Sequence, residues 1–430
     1  MTEADLEPSG GASGEVVLVP TAVVAGGAAL AHDADGRVVF VEGALPGERV
    51  TVRLTEVRKD FARARAVEIL EASPDRVAPP CPALAAGCGG CTWQHVTPEA
   101  QVGYKAEIVV DALRRIGRMA DPPTPSETPL PGPALRTTAR LAVSAGSDRA
   151  GHRARHDSRA VETDSCLAAH PLLEELIVDG RYPDASEVLL RVGVASGERL
   201  VQVEPAAAAA NVQVPGDVLV VGRGDGRPGF VHEEVAGRRF RVSAGSFFQP
   251  GPVAAEGLVT AVSEAVGEAL PAGGHLVDAY AGVGLLASTL GAARGARVTA
   301  VESDRTAVAD ARVNLADLDA RVVRSEVGRW RRRAGKKAPP VDVVVADPSR
   351  PGLGRPGVAA LVALAAPRLV LVSCDPASLG RDTALLSAAG YRLTSVAMVD
   401  AFPHTFHVET VCRFDRASAP RVAAGNGGKA

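Results

Sequence analysis

The sequence predicts an α/β protein: a C-terminal Rossmann-like domain, preceded by a small N-terminal β-barrel and a central α+β region. Three observations carry this. Residues 243–416 alternate apolar runs of strand length with helical runs, the pattern of a parallel sheet wrapped by helices. Residues 15–72 are short period-two runs, VVLVP, RVVFVEG, ERVTVRLTEV and ARARAVEILE, broken at Gly26-Gly27, Asp35-Gly36 and Pro46-Gly47, as in a small barrel. Residues 73–242 mix proline-rich breaks, one amphipathic segment, strand-like runs and four of the six cysteines.

A chain of 430 residues is too long for one ordinary core, so several domains are expected. The net charge of −3 neither demands nor excludes a nucleic-acid partner. Six cysteines in so long a chain do not make a disulfide scaffold, and the start does not read as a signal peptide. No apolar run of transmembrane length is free of Pro and Gly breaks. These features suggest a soluble, cytoplasmic, monomeric protein without a membrane partner. Residues 1–14 are acidic and Gly/Ser-rich, and they and residues 417–430 are expected to form a disordered lead-in and tail.

In the N-terminal segment, Arg58-Lys59-Asp60-Phe61-Ala62-Arg63-Ala64-Arg65 is the most basic stretch. On a strand, Phe61, Arg63 and Arg65 share one face, which offers stacking and phosphate contact. A proline-rich linker, Ser73 to Pro82, delivers Cys81, followed by Cys88-Gly89-Gly90-Cys91 and the distant Cys166. Two cysteines two residues apart clamp one metal, and the intervening glycines let the loop approach it closely. Zinc on four cysteines, an iron–sulfur cluster and unrelated thiols all remain open. Three close cysteines plus a distant one match cluster ligation better than the paired spacing of zinc. An amphipathic helix is expected over Tyr104 to Ile116, a proline-rich break over Pro122 to Pro133, and a polar loop at His152, Arg153, Arg155 and His156.

The C-terminal segment opens with SAGSFFQPGP and a helical run from Val253 to Leu270. In HLVDAYAGVGLLA a strand ends near Asp278 and a loop with Gly282 and Gly284 starts a helix. Small residues there let the backbone approach a ligand, with helix N–H groups behind it. The next strand, Arg297 to Val301, ends in Glu302, 24 residues after Asp278, where an acid suits ribose hydroxyls. That order implies a nucleoside cofactor, without choosing NAD or S-adenosylmethionine (SAM). VDVVVADPSRPGLG then ends a buried strand in Asp347-Pro348-Ser349-Arg350, a turn that hydride transfer does not need. LVSCDPASLGRD puts Cys374 at the carboxyl end of a strand, because Pro376 stops the pairing. A thiol at that edge serves as a nucleophile once deprotonated. Finally, DAFPHTFHVETV carries His404, His407 and Glu409; partial burial between Val408 and Val411 raises a glutamate's pKa and suits it to proton abstraction.

Taken together, SFFQP, DAYAGVG, VESD with Asn314-Leu315, ADPSRPGL, SCDPASLGRD and DAFPHTFHVE make the chain resemble the TRAM-domain, SAM-dependent RNA (uracil-5-)-methyltransferase family over nearly its whole length. CPALAAGCGGCTWQH with Cys166 resembles the family's cluster-binding branch, which forms 5-methyluridine in 23S rRNA. The resemblance implies an OB-like TRAM module that contacts RNA and a 4Fe-4S cluster on Cys81, Cys88, Cys91 and Cys166. It also implies Cys374 as nucleophile, Glu409 as base, Gln249, Tyr280, Glu302 and Asp347 around SAM or the reacting base, and Arg350 orienting the target. Ribosomal RNA is expected ahead of transfer RNA. Several positions depart from the family pattern: Ala281 and Leu285 in the glycine loop, Ser349 after Asp347-Pro348, and six residues instead of five between Cys81 and Cys88. The RWRRRAGKK run, Arg329 to Lys337, lies where the family sequence varies and is expected to be a solvated loop ahead of an RNA-facing patch.

Overall fold

The computed structural model describes residues 15–133, 135–334 and 339–417. The expected lead-in, the tail beyond residue 417 and the end of the RWRRRAGKK run (335–337) lie outside the described residues. The chain forms two compact bodies. One takes the residues up to Pro82, Cys91–Ile108 and His404–Phe406; the other takes Ala83–Gly90, Val109–Pro403 and the residues from His407 onward.

The first body is built on six strands: β1 (Glu15–Leu18), β2 (Ala22–Val23), β3 (Ala29–His32), β4 (Val38–Glu42), β5 (Arg49–Val57) and β6 (Phe61–Glu71). Their order is β1-β5-β6-β4-β3-β2. The expected barrel is thus an open sheet, because its edge strands, of four and two residues, are too short to pair and close the ring. Strict alternation decides its faces. Ala29, Ala31, Val39, Val41, Val50, Val52, Ala62 and Ala64 are buried on one side. Phe61, Arg63 and Arg65 lie on the other, with the Arg63 guanidinium 5.8 Å from the centroids of both Phe40 and Phe61. Beyond a single turn, α1 (Pro82–Ala85), helix α2 (Pro98–Arg115) begins six residues ahead of the expected Tyr104. Pro98 at its first position has the φ that starting a helix requires. Trp93, Val96, Tyr104 and Ile108 pack with Val23 and Leu45.

In the second body, β7 (Ser126–Glu127) falls inside the expected proline-rich break. A six-stranded sheet follows: β8 (Thr138–Val143), β9 (Ala150–Arg153), β10 (Ala160–Val161), β11 (Glu187–Val192), β12 (Arg199–Glu204) and β13 (Val218–Gly222). Helix α3 (Pro171–Val178) buries Leu173, Leu176 and Ile177 against Leu141, Leu190 and Val201 of that sheet. A hairpin, β14 (Phe230–Val235) and β15 (Arg238–Ser243), leads to α4 (Pro252–Val266), shorter than expected because Gly267 ends it at φ 49°.

The remaining elements alternate as expected. They are β16 (His275–Ala279), α5 (Leu285–Arg294), β17 (Arg297–Glu302), α6 (Arg305–Asn314), β18 (Ala320–Arg324), α7 (Val327–Ala334), β19 (Val343–Ala346), α8 (Gly354–Val362), β20 (Arg368–Ser373), α9 (Pro376–Ala388), β21 (Tyr391–Val399) and β22 (Glu409–Arg416). The sheet order is β18-β17-β16-β19-β20-β22-β21-β7, with β22 antiparallel between β20 and β21. Every residue of β16 and β19 is buried, as helices covering both faces of a parallel sheet require. Because the chain runs outward from β16 to β18 and returns to β19, the strand order reverses between the parallel neighbours β16 and β19. A ligand crevice is expected at the carboxyl ends there. Among the described residues no helix is long and apolar enough to cross a membrane.

Candidate active site

The carboxyl edge of β16 is shaped by backbone conformation. Tyr280 has φ 66°, rare for a residue with a side chain, and Gly282 and Gly284 follow at 55° and 88°. Tyr280 and Ala281 N–H groups both donate to Val301 O, which pins the loop to β17. Glu302 completes the clamp. Its Oε2 accepts from Gly282 N–H at 2.9 Å, and its Oε1 from Asp304 N–H at 2.7 Å and from Ser303 N–H. Around it lies a cavity of about 390 Å³ whose walls include Tyr280, Val301, Glu302, Ser303, Pro356 and Gly357. That volume suits a nucleoside. Arg329 and Arg332 of α7 also line it, although the sequence placed their run on a solvated loop or an RNA-facing patch. Their spacing of three residues, which puts both on one helix face, was the available signal.

A second cavity of about 50 Å³ shares Tyr280 and is lined by Phe247, Phe248, Gln249, Asp278 and Asp347. Ala281 and Leu285, the departures in the glycine loop, supply apolar wall here. Asp278 is fully buried; Oδ2 accepts from Ala287 N–H at 2.8 Å, while Oδ1 has no protein partner. Burial pushes its carboxyl up to about 8. An unpaired buried acceptor beside an empty volume fits the amino-acid end of a cationic cofactor. Gln249 is buried and its amide donates to Asp347 Oδ2 at 3.4 Å. The turn after Asp347 is locked from α9, where Asp382 accepts from Leu353 N–H at 2.6 Å and Gly354 N–H at 3.1 Å. That accounts for the last residue of SCDPASLGRD.

The register of β20 and β22 brings the two key groups together. Ser373 is the partner of Thr410 in an antiparallel ladder, so Cys374 and Glu409 stand one residue beyond that last rung, close enough for the Glu409 charge to act on the thiol. Asp375 caps α9, accepting from Ser378 N–H at 2.7 Å, with Pro376 as the first helical residue. Cys374 thus sits where a strand gives way to a helix. The thiol is pushed up to about 11, first by burial, then by the charges of Glu409 and Asp347, with exposed Arg350 opposing. Glu409 is 5 % exposed, and burial, then the Asp347 charge, hold its carboxyl well above the usual range. Burial raises Asp347 to about 7. Two carboxyls of raised basicity beside a half-buried thiol suit addition followed by proton abstraction.

His404, φ 62°, belongs to the first body, where Trp93 N–H donates to its carbonyl and Gln101 Oε1 accepts from its N–H. The expected polar loop is partly buried instead. His152 Nε2 lies 4.0 Å from Cys166 Sγ, and burial, then Arg136, push the imidazole down to about 4. Cys88 Sγ accepts from Gly90 N–H at 3.4 Å, and Cys81 N–H donates to Gln94 Oε1 at 3.1 Å. Cys81, Cys88, Cys91 and Cys166 are half-buried, and their soft sulfur donors suit iron or zinc. Among the described residues no three His, Cys, Asp or Glu side chains gather as a metal ion requires.

Comparison with known proteins now bears on the whole chain. A TRAM domain model matches residues 21–67. An uncharacterized RNA methyltransferase of Streptomyces coelicolor is 38% identical, the alignment covering 92% of each chain. The 23S rRNA (uracil(1939)-C(5))-methyltransferase of Methylococcus capsulatus is 32% identical over 91% of this chain and 94% of its own. The chain belongs to the TRAM-domain RNA methyltransferase family. The crystal structure of a Pyrococcus abyssi tRNA (uracil-54, C5)-methyltransferase with S-adenosyl-L-homocysteine shares the fold. Its TM-score is 0.66 at 24% identity, covering 89% of this chain and 97% of that one.

Proposed function

We propose that this RNA methyltransferase forms 5-methyluridine in structured RNA, 23S rRNA ahead of tRNA, with Cys374 as nucleophile and Glu409 as base. The observation that carries the reading is the juxtaposition of Cys374 and Glu409 at the end of the β20–β22 ladder with Asp347, which lines the small cavity sharing Tyr280 with the nucleoside-sized one. The relative from Methylococcus capsulatus, named for uracil C5 in 23S rRNA, supports the choice of atom and RNA. Glu302 and Tyr280 would hold the nucleoside of SAM and Asp278 its other end, with Gln249 and Asp347 turned toward the reacting base. SAM supplies an electrophilic methyl group when bound.

Uracil C5 is a poor nucleophile unaided. Cys374 thiolate adds to C6, the C5–C6 π electrons become enolate, and C5 becomes able to take the methyl group. Glu409 then removes the C5 proton; the C–H electrons restore the C5–C6 double bond and sulfur leaves as thiolate. Arg350, exposed at the rim, orients the target, which must leave its stack to reach a half-buried thiol. The TRAM sheet (residues 15–72) contacts RNA through the Phe61, Arg63 and Arg65 face. The central region (73–242) carries the cysteines and residues 243–416 the chemistry. Cys81, Cys88, Cys91 and Cys166 would hold a 4Fe-4S cluster, their soft thiols fitting it, as a brace outside the reaction. The protein works in the cytoplasm as a monomer.

The test is transfer of labelled methyl from SAM to unmodified ribosomal and transfer RNA, followed by nucleoside mass spectrometry. Label in 5-methyluridine of 23S rRNA is expected. Label in another nucleoside would discard the Cys374 chemistry, and label in tRNA alone would move the substrate.

A further inference from the structure

Arg191 of β11 is 4 % exposed, an uncommon place for a guanidinium. Its Nη1 donates to Ser243 O at 3.1 Å and its Nη2 to Ser246 O at 2.8 Å, while Nε has no partner. On the opposite side of that turn, Asp310 of α6 is completely buried and all of its acceptor capacity is directed at the same few residues. Its Oδ1 accepts from Ser243 Oγ and Arg241 Nε, both at 2.8 Å; its Oδ2 accepts from Ser243 N–H at 2.9 Å and Ser246 Oγ at 2.6 Å. The turn also closes on itself, Ser246 N–H donating to Ser243 O at 3.0 Å. One buried cation, Arg191, and one buried anion, Asp310, the latter also paired with Arg241, thus hold a four-residue turn from two different elements. Desolvating both is costly, and hydrophobic packing of similar shape would stabilise the fold as well. What the pair provides is a single position for the residues that follow.

Those residues are Phe247, Phe248 and Gln249, which wall the small cavity, with the Gln249 amide directed at Asp347. Phe247 is 69 % exposed, so packing against Phe247 itself does little to hold the arm in place. We propose that Arg191 and Asp310 are positioning residues for the Phe247–Gln249 arm, and that the arm's fixed aim toward Asp347 prepares the site for the target base. The proposal rests on the uracil reading above. It adds that β11, distant in sequence from every reacting group, sets the geometry of covalent addition.

The experiment measures the rate of covalent protein–RNA adduct formation with unmodified 23S rRNA, alongside SAM affinity, in the full-length protein. Arg191→Met keeps the side-chain volume and removes the donors. Adduct formation is expected to slow by about a hundredfold, the scale of an ångström misplacement, with SAM affinity within about threefold of the starting protein. Arg191→Lys, which keeps a donor for Ser246 O, should regain part of the rate. The deciding readout is a double-mutant cycle with Gln249→Ala. If Arg191 acts through the arm, Arg191→Met costs little more once Gln249 is gone. Penalties that multiply, adduct formation at the unaltered rate, or a parallel loss of SAM affinity would each overturn the proposal. Should Arg191→Met fail to fold, Ser246→Ala removes a single hydroxyl from Asp310 and enters the same cycle. If methyl label goes to a nucleoside other than 5-methyluridine, the uracil reading fails. The cycle, run on that transfer instead, still decides the role of Arg191.

Discussion

At Cys374 two opposing demands meet. As the proposed nucleophile it must be recessed to meet a flipped base, yet burial and two carboxylates keep its proton on. With the thiol raised to about 11, the thiolate fraction grows as pH rises, and Asp347, at about 7, also ionises on the way up. Because the charge that Asp347 gains pushes the thiol up further, adduct formation should increase from neutrality to about pH 9 by less than about tenfold per pH unit near neutrality and approach that slope once Asp347 is ionised. A flat profile in single-turnover assays would show that bound RNA already deprotonates the thiol. Cys374→Ala should abolish turnover while SAM binding, followed by calorimetry, survives; unchanged turnover would remove it as nucleophile. Glu409→Gln should leave addition intact and stall release, giving a shifted RNA band on a denaturing gel. Normal release in that variant would point to Asp347 as the base.

At the level of elements, the carboxyl ends of β16, β17, β19 and β20 present the site, and helix termini fix each side chain there. Asp375 and Asp304 cap α9 and α6, and Asp382 holds the turn after Asp347. Helix α7 is the element whose role changed most between sequence and structure. Replacing both Arg329 and Arg332 with alanine should weaken SAM binding by about tenfold, as loss of guanidinium hydrogen bonding and stacking on the nucleoside allows. Unaltered affinity would return the helix to a solvent-facing role. Strand β22 carries Glu409 at one end and Phe414, fully buried, near the other. Phe414→Ala should destabilise the protein by about 3–5 kcal/mol in denaturant melts.

For the whole molecule, the four thiols Cys81, Cys88, Cys91 and Cys166 carry the prediction. Protein purified without oxygen should contain about four irons per chain with visible charge-transfer absorbance, the composition of one 4Fe-4S cluster. Zinc in place of iron would rule the cluster out. Removing the metal should lower thermal stability while Cys374 keeps its place between β20 and α9, since no reacting group is a cysteine of that set.

Motifs that obey local rules were legible in the chain itself. The alternation of strand and helix, the glycine loop after Asp278, and the proline that stops β20 beside Cys374 each depend on a few neighbouring residues, so spacing alone revealed them. Burial and pairing across distance were not legible. Only the fold shows that β22 inserts antiparallel beside β20, which turns Glu409 from an ordinary glutamate into a group whose charge acts on Cys374. It also opened the expected barrel, because strands of two and four residues cannot close a ring. It likewise buried Arg191 and Asp310 around one turn, a meeting of residues 119 apart in sequence that no local pattern encodes. Local periodicity records what a segment is; which charges are desolvated together depends on the packing of segments far apart in the chain.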